Sequence, residues 1–171
     1  LPEAKDALLF NIRAKDDGLR NDQCRANVLH TIPDYAMLAD ALAQYLIWKR
    51  WANWLLVTGT AEDDKLFADA LRHAAEKFSA TIVEERVFDA ETGSRRTDTG
   101  HAQIQKQMPV FTQDAEDYDV IVVSDVRDAF GEYLQYRTWD PRPVVGTQGL
   151  FPTAWHRSQE QWGATQMQNR F

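Results

Sequence analysis

The sequence predicts an α/β fold, in which a three-layer, doubly wound and mainly parallel sheet carries helices on both faces. Three short apolar runs have the length and composition of buried strands, at residues 54–57, 119–125 and 143–146. Segments with a helical spacing of apolar residues separate these runs, and the alternation gives repeated βαβ units. The chain has 171 residues, which is enough for one domain to bury a core.

The amino-terminal part of the chain is expected to lead into this sheet. Residues 7–13 have the composition of a short strand, and the residues between this strand and Asp34 are polar and irregular. Asp34 is a suitable N-cap for a helix over 35–50, because its carboxylate can accept hydrogen bonds from free backbone N–H groups. We therefore expect a crossover strand and polar segment over 1–33, followed by a single α/β lobe over 34–171.

The first helix has apolar positions at spacings of three and four, which predicts one buried face. The residues expected on that face are Met37, Leu38, Leu42, Tyr45 and Leu46. Three tryptophans near the end of the helix, Trp48, Trp51 and Trp54, are expected to pack in the core or at a sheet edge.

The same patterns predict further elements along the rest of the chain. These are a helix over 63–78, a strand over 81–88, a helix over about 101–112 and a helical segment that continues from the run 119–125 to about residue 137. Residues 89–100 read as a polar loop. The last residues, 147–171, are expected to be irregular and to end in a helix rich in Gln.

A binding site is expected where the parallel strands end. Open α/β sheets bind ligands in the crevice beyond the carboxyl ends of their strands. Three loops follow predicted strands in this way, at residues 58–60, 124–127 and 146–149. The polar crossover segment over 20–31 is a further candidate to line the same cleft.

The composition argues against several classes of function. The chain has 26 acidic and 19 basic residues and a net charge of −7, whereas binding of nucleic acid phosphates needs a basic field. The sequence contains no dinucleotide fingerprint, no P-loop and no nucleophile elbow. The four histidines lack the spacing of metal ligands, so neither a metal site nor a catalytic group is predicted.

Several segments together resemble a known family. They are Leu9-Phe10-Asn11-Ile12-Arg13-Ala14, the run from Cys24 to Pro33, Tyr118 to Asp125, Pro141 to Leu150, and Gln161-Trp162-Gly163-Ala164. The chain resembles type I periplasmic solute-binding proteins of the leucine/isoleucine/valine-binding class. Within that class it is similar to the ABC transporter substrate-binding proteins associated with pyrroloquinoline quinone (PQQ)-dependent catabolism. The resemblance covers nearly the whole chain.

The resemblance implies a binding protein without catalysis. Proteins of this class hold a small ligand in the cleft between two lobes, and hinge closure clamps it there. This chain looks like one lobe, so the expected partners are the N-terminal lobe of the same protein, a small-molecule ligand and an ABC permease. PQQ is the expected transported ligand rather than a required cofactor. The resemblance also implies a periplasmic location, although the chain contains no leader.

Site residues follow from the strand-end loops and from the chemistry of PQQ, which is a flat aromatic tricarboxylate. Such a ligand calls for forked cations and for a flat apolar face. The candidates are Arg20, Arg25, Thr60, Asp125, Arg127, Gln148, Gly149, Trp155 and His156. Trp155 is the expected stacking group. If the ligand were an amino acid, Asp125 could instead hold its ammonium group.

Other functions remain open on the sequence alone. The same fold is reused as the ligand-sensing domain of receptors and regulators. Within the transport hypothesis, an amino acid or another metabolite of alcohol oxidation is an alternative ligand. A small flavodoxin-like enzyme is the alternative from another class, although the sequence lacks the nucleotide, metal and nucleophile signatures that such an enzyme would carry.

Overall fold

The centre of the molecule is a parallel four-stranded sheet, seen in a computed structural model that describes residues 7–89, 104–135 and 137–150. The elements in chain order are β1 Leu9–Asn11, β2 Val28–His30, α1 Tyr35–Trp48, β3 Asn53–Thr58, α2 Glu62–Phe78, β4 Thr81–Val87, α3 Ile104–Phe111, β5 Val120–Ser124 and β6 Val144–Gly146. The four-stranded sheet has the order β4-β3-β5-β6, and each neighbouring pair is parallel. β1 and β2 form a separate parallel pair.

The two inner strands are the apolar runs that the sequence marks most clearly. Every residue of β5 is buried, as is every residue of β3 except the first, because helices cover both faces of the sheet. Their register aligns Trp54 with Val120 and Thr58 with Ser124. After β3 the chain turns to one side to form β4, whereas after β5 it turns to the other side to form β6. The carboxyl ends of β3 and β5 therefore flank a crevice.

Successive strand residues point into two separate apolar cores. Leu56 and Val122 pack against α1 and α2 on one face of the sheet. Leu55 and Val123 pack on the other face, where α3 contributes Met108 and the following loops contribute further apolar residues. This arrangement confirms the predicted three-layer, mainly parallel α/β fold.

Two of the predicted elements are wrong in detail. The segment before Asp34 was expected to be irregular, but it contains β2, which pairs with β1. No helix runs to residue 137 after β5; the described residues there form only a 3-10 turn, Gly131–Tyr133. The carboxylate of Asp125 accepts hydrogen bonds from the N–H groups of residues 129–131, which holds the loop in a non-helical path. The final helix predicted within 147–171 and most of the loop over 89–100 lie outside the described residues.

The buried face of α1 also differs from the prediction. The residues buried against the sheet and α2 are Tyr35, Ala39, Leu42, Ala43 and Leu46. Met37 and Tyr45 are exposed, and Trp48 lies outside the core. Because α1 is apolar on both sides, periodicity alone could not distinguish its inner side. The small side chains of Ala39 and Ala43 face inward, where close approach to neighbouring elements requires them.

The β1–β2 pair leaves apolar side chains uncovered. Phe10, Ile12 and Leu29 are exposed although they belong to or adjoin these strands. β1–β2 and the four-stranded sheet are two distinct sheets. The domain boundary expected between residues 33 and 34 stays a prediction. Within the described part of the chain, no helix combines the length and the apolar character needed to cross a membrane.

The inner face of α1 can be tested by comparing two truncations on the same helix. Leu46→Ala removes a fully buried side chain and is expected to lower the free energy of unfolding by about 3 kcal/mol. Met37→Ala truncates an exposed side chain, so a loss below about 0.5 kcal/mol is expected. Urea unfolding followed by circular dichroism measures both. Equal losses would mean that Met37 faces the core as the sequence predicted.

Candidate functional site

The crevice between the ends of β3 and β5 is occupied by one carboxylate, that of Asp64. The Ala61 N–H donates to its Oδ2 (3.1 Å) and the Val126 N–H donates to its Oδ1 (2.7 Å). The hydroxyl of Ser124 donates to the Asp64 carbonyl oxygen (2.6 Å). Gly59 lies so close that a Cβ there would overlap the carboxylate. Asp64 in the first turn of α2 thus joins the loops that follow the two central strands.

The surroundings of Asp64 favour its neutral form. Burial raises the pKa of Asp64 above its usual 3.8, and the charge of Asp125 adds to this effect. The two backbone N–H groups and the charge of Arg127 act in the opposite direction without cancelling the rise in pKa. Only 3% of Asp64 is exposed, so its side chain is covered from solvent and contacts only neighbouring parts of the protein. Sequence analysis assigned Asp64 no site role, although its place in the first turn of a predicted helix after a strand was visible.

The crossover segment lies at the same end of the four-stranded sheet. Tyr35 begins α1, and burial together with the charges of Asp63, Asp64, Asp16 and Asp17 raises the pKa of Tyr35 to about 12. Asp16 and Asp17 come from the crossover segment, whereas Asp63 and Asp64 follow β3. Both segments therefore contribute to one acidic region beside the carboxyl ends of the strands.

Asp125, a predicted ligand-binding residue, is fully buried beneath its own loop. Its Oδ1 accepts from the Ala129 N–H (2.9 Å), and its Oδ2 accepts from the N–H groups of Phe130 (2.8 Å) and Gly131 (2.7 Å). Its backbone N–H donates to the hydroxyl of Thr147 (2.9 Å). The contacts assign Asp125 a part in shaping the loop, and its part in ligand binding stays a prediction.

Gln148 and Gly149 connect the last loop to the sheet edge. Gln148 is buried, and its side-chain amide donates to the carboxylate of Asp128 in the loop after β5. Gly149 adopts φ +75, and a Cβ there would overlap the carbonyl oxygen of Val144. The next residue, Leu150, bridges to Val145 at the edge of β6. Gly149 is therefore required for a close approach of two backbones, and its contact with a ligand stays a prediction.

Thr60 and Arg127 are the predicted residues that the described edge leaves accessible. Thr60 follows β3 and Arg127 follows β5, and both side chains are exposed. The effect of Arg127 on the pKa of Asp64 indicates that its guanidinium lies near the crevice. Either side chain can meet a molecule that approaches the carboxyl edge of the sheet.

The two arginines of the crossover segment, Arg20 and Arg25, differ in how far their side chains are exposed to solvent. Arg20 pairs with Asp34, the N-cap of α1, at 3.2 Å and also donates to the carbonyl oxygen of Ile32 (2.5 Å). Arg25 is exposed. The structure does not describe the region of Trp155 and His156, so both remain predictions from sequence.

A cavity of about 570 Å³ adjoins the β1–β2 pair. The residues that line it come from the two strands and from the crossover segment between them, and they are Leu9, Asn11, Leu19, Asp22, Gln23, Cys24, Arg25, Val28 and His30. The lining combines apolar strand residues with an exposed guanidinium and an exposed thiol. Sequence analysis named Arg25 individually and included His30 only within the crossover segment over 20–31, whereas it assigned Asn11 no site role.

The tautomer of His30 follows from its neighbour. The Oδ1 of Asn11 accepts from the N–H groups of Arg13 (3.1 Å) and Ala14 (2.8 Å), which fixes the orientation of the amide. The amide nitrogen of Asn11 therefore donates to Nδ1 of His30 (2.9 Å), and the proton of the neutral ring lies on Nε2. This Nε2 is buried and, among the described residues, makes no hydrogen bond.

Comparisons with known proteins extend the fold assignment. No family model and no curated protein matches this chain. The structure is similar to a branched-chain amino acid ABC transporter periplasmic ligand-binding protein from Burkholderia xenovorans LB400, with a TM-score of 0.62 and 16% identity over 87% of this chain. A periplasmic binding protein from Burkholderia mallei matches 68% of the chain with 16% identity and a TM-score of 0.49.

The TM-score to the first protein supports a shared fold, and the 16% identity supports no finer assignment. The chain spans 39% of the length of the first protein and 28% of the second. The α/β fold expected from the resemblance to periplasmic binding proteins is confirmed by the first comparison. Both neighbours are named as binding proteins, and the expected absence of catalysis in this chain stays a prediction. Within residues 7–89, 104–135 and 137–150, no group of three or more His, Cys, Asp or Glu side chains could hold a metal ion.

The bridging carboxylate can be tested with Asp64→Asn. An asparagine presents one acceptor oxygen and one NH2 group, so either the Ala61 or the Val126 N–H loses its partner. We expect a loss of about 1–3 kcal/mol in the free energy of unfolding, the cost of a buried unpaired donor. Asp63→Asn, on the exposed neighbouring position, is the matched control and is expected to change stability by less than about 0.5 kcal/mol. Equal effects in the two variants would contradict the bridging role.

The raised pKa of Asp64 makes a separate prediction about pH. Because the folded-state pKa lies above 3.8, the stabilising contribution of this group is fully present below pH 3.8 and is lost as pH rises through the raised value. The stability advantage of the unsubstituted chain over Asp64→Asn should therefore shrink as pH rises from about 3.8 towards neutrality. Urea unfolding of both chains at a series of pH values measures the difference. A difference that grows with pH would contradict the direction of the shift.

Proposed function

We propose that this chain is the ligand-binding lobe of a two-lobed solute-binding protein that serves an ABC importer and catalyses no reaction. The similarity in fold to a periplasmic ligand-binding protein of such a transporter supports the proposal. A periplasmic location and an ABC permease as partner belong to the same proposal. The alternative is the ligand-sensing domain of a receptor, which would use the same lobe without a permease.

The observation that carries the proposal is the arrangement of residues at the carboxyl ends of β3 and β5. The carboxyl ends of β3 and β5 diverge there, and this divergence is where open parallel sheets bind ligands. Asp64 holds the adjoining loops together, while Thr60 and Arg127 remain exposed on them. The acidic region around Tyr35 brings the crossover segment to the same end. A second lobe facing this end would enclose a ligand between two preformed surfaces.

The β1–β2 pair supports a second lobe. Two-stranded sheets are marginally stable by themselves, and this one exposes Phe10, Ile12 and Leu29. Further strands or helices of a neighbouring lobe would cover these side chains and extend the small sheet. The chain spans 39% of the length of the similar ligand-binding protein, which leaves room in such a protein for another lobe.

Two kinds of small molecule, PQQ and an amino acid, are candidate ligands for this site. PQQ is proposed from the sequence resemblance, with Arg127 and Arg25 as the exposed cations for its carboxylates and Trp155 as the stacking group. The acidic region formed by Asp16, Asp17 and Asp63 favours the second candidate, an amino acid, because its ammonium group would be attracted there while a tricarboxylate would be repelled. The similar protein from Burkholderia xenovorans is named for branched-chain amino acids.

Calorimetric titration of the complete two-lobed protein with PQQ, and separately with leucine, tests the proposal. Saturable one-to-one binding of either compound would support solute binding and select the ligand class. We expect Arg127→Ala to weaken binding of the carboxylate-bearing ligand about tenfold, the loss of one charge-assisted hydrogen bond. Arg142→Ala is the matched control, since this exposed arginine precedes β6 at the opposite edge of the sheet.

Three results would contradict parts of this proposal. Failure of both compounds to bind would overturn the two named ligands. Equal affinity of the Arg127→Ala and Arg142→Ala proteins would remove the carboxyl edge of the sheet as the binding surface. A gene neighbourhood with a regulator and no permease or ATPase would favour the sensing alternative over import.

A further inference from the structure

The outward side of α1 carries an apolar stripe, which we define as Met37, Ala41, Tyr45 and Trp48. These positions are separated by four, four and three residues and lie opposite the buried face of the helix. The exposed fractions are 52% for Met37, 37% for Tyr45 and 73% for Trp48. A helix that packs one face on a core normally presents polar side chains on the other. The stripe therefore indicates a surface that a partner covers.

The carboxyl-terminal end of the stripe has the composition of an interface centre. The rings of Tyr45 and Trp48 lie 5.8 Å apart, and Nζ of Lys49 lies 4.8 Å from the centre of the Trp48 ring. Tryptophan and tyrosine are enriched among the residues that dominate binding energy at protein interfaces. Sequence analysis assigned Trp48 to the core or a sheet edge, and its exposure requires a different explanation.

The charges at the two ends of α1 are opposite. Asp16 and Asp17 lie beside the amino-terminal end, where the Asp17 carboxylate accepts from the Ala36 N–H. Lys49 and Arg50 follow the carboxyl-terminal end and are exposed. A complementary partner therefore presents basic groups near the amino-terminal end of α1 and acidic groups near its carboxyl-terminal end. A second copy of α1, placed antiparallel, presents this order of charges.

The side chains of the stripe also complement themselves. In an antiparallel pair with the two-fold axis between residues 44 and 45, Ala41 of one copy faces Trp48 of the other. A small side chain then receives a large one on both sides of the axis, as an isologous contact requires. In the same register Asp40 of each copy faces Lys49 of the other. Gln44 and Tyr45, next to the axis, would meet at the centre of the contact.

We infer that the outward face of α1 is an interface between two copies of this chain, which pair through antiparallel α1 helices. Ala41, Tyr45 and Trp48 form its apolar centre and Met37 lies at its periphery. Asp40, which also pairs with Lys77 of its own chain, and Lys49 fix its register. The contact lies on the helical face of the lobe and leaves the carboxyl ends of β3 and β5 uncovered. It shares only the acidic groups of Asp16 and Asp17 with the proposed ligand site.

Sedimentation velocity of the 171-residue chain over a range of concentrations tests the inference. At about 100 μM a Kd near 1 μM would leave nearly all chains paired. We expect Trp48→Glu to weaken pairing at least about tenfold, because a charge would be buried in the apolar centre. Trp139→Glu changes another exposed tryptophan, with 57% exposure outside α1, and should pair like the unsubstituted chain.

A charge exchange tests the register. Lys49→Asp should weaken pairing because it sets two acidic groups against each other, and the double variant Asp40→Lys with Lys49→Asp should restore it. Only an antiparallel contact between identical copies predicts this rescue. The free energy of unfolding of each variant, measured at a concentration where chains are single, controls for misfolding and for the loss of the Asp40–Lys77 ion pair.

Each other outcome would overturn the inference. A chain that remains monomeric at about 100 μM has no such interface at a Kd near 1 μM. A dimer that Trp48→Glu and Trp139→Glu weaken equally uses another surface. A monomer in which Trp48→Glu costs more than about 1 kcal/mol of stability would mean that another part of the same chain covers the stripe.

Discussion

The Asp64 carboxylate is the contact on which the carboxyl end of the four-stranded sheet depends. It accepts one N–H group from the loop after β3 and one from the loop after β5, while Ser124 binds the Asp64 backbone. Strand pairing alone would align β3 with β5 but would not hold the loops that leave them in opposite directions. Burial of the carboxylate is energetically costly, and the two backbone N–H groups replace its lost hydrogen bonds to water only in part, because the pKa of Asp64 stays raised.

Other buried polar side chains also hold loops together at this edge of the sheet. Asp125 uses its carboxylate on three N–H groups of its own loop, and Gln148 joins that loop to the one after β6. Polar groups that look available for a ligand in the sequence are thus engaged in building the loops. The accessible groups, Thr60 and Arg127, stand on a framework whose internal polar contacts are already satisfied. A framework of this kind would keep the proposed binding surface in place before a ligand arrives.

The sequence predicted the central strands well, because buried parallel strands read as continuous apolar runs. It also identified Asp34 as the N-cap of α1, whose carboxylate accepts from the Met37 N–H (2.8 Å). It was only partly right for the inner face of α1, where Leu42 and Leu46 are buried but apolar residues occur on both sides and the spacing fits either orientation. It failed after β5, where hydrogen bonds from a side chain to its own loop replaced the helix that local composition suggested.

The sequence by itself determined the α/β class, the positions of the four strands in the larger sheet and the edge of that sheet where polar groups gather. These properties follow from local periodicity and from the rule that parallel strands end on one side. Only the tertiary structure decided which polar groups are free, since a hydrogen-bond partner such as Val126 for Asp64 lies 62 residues away along the chain. It also decided which side of α1 meets the core. Both outcomes depend on contacts between distant segments, and no local pattern encodes such contacts.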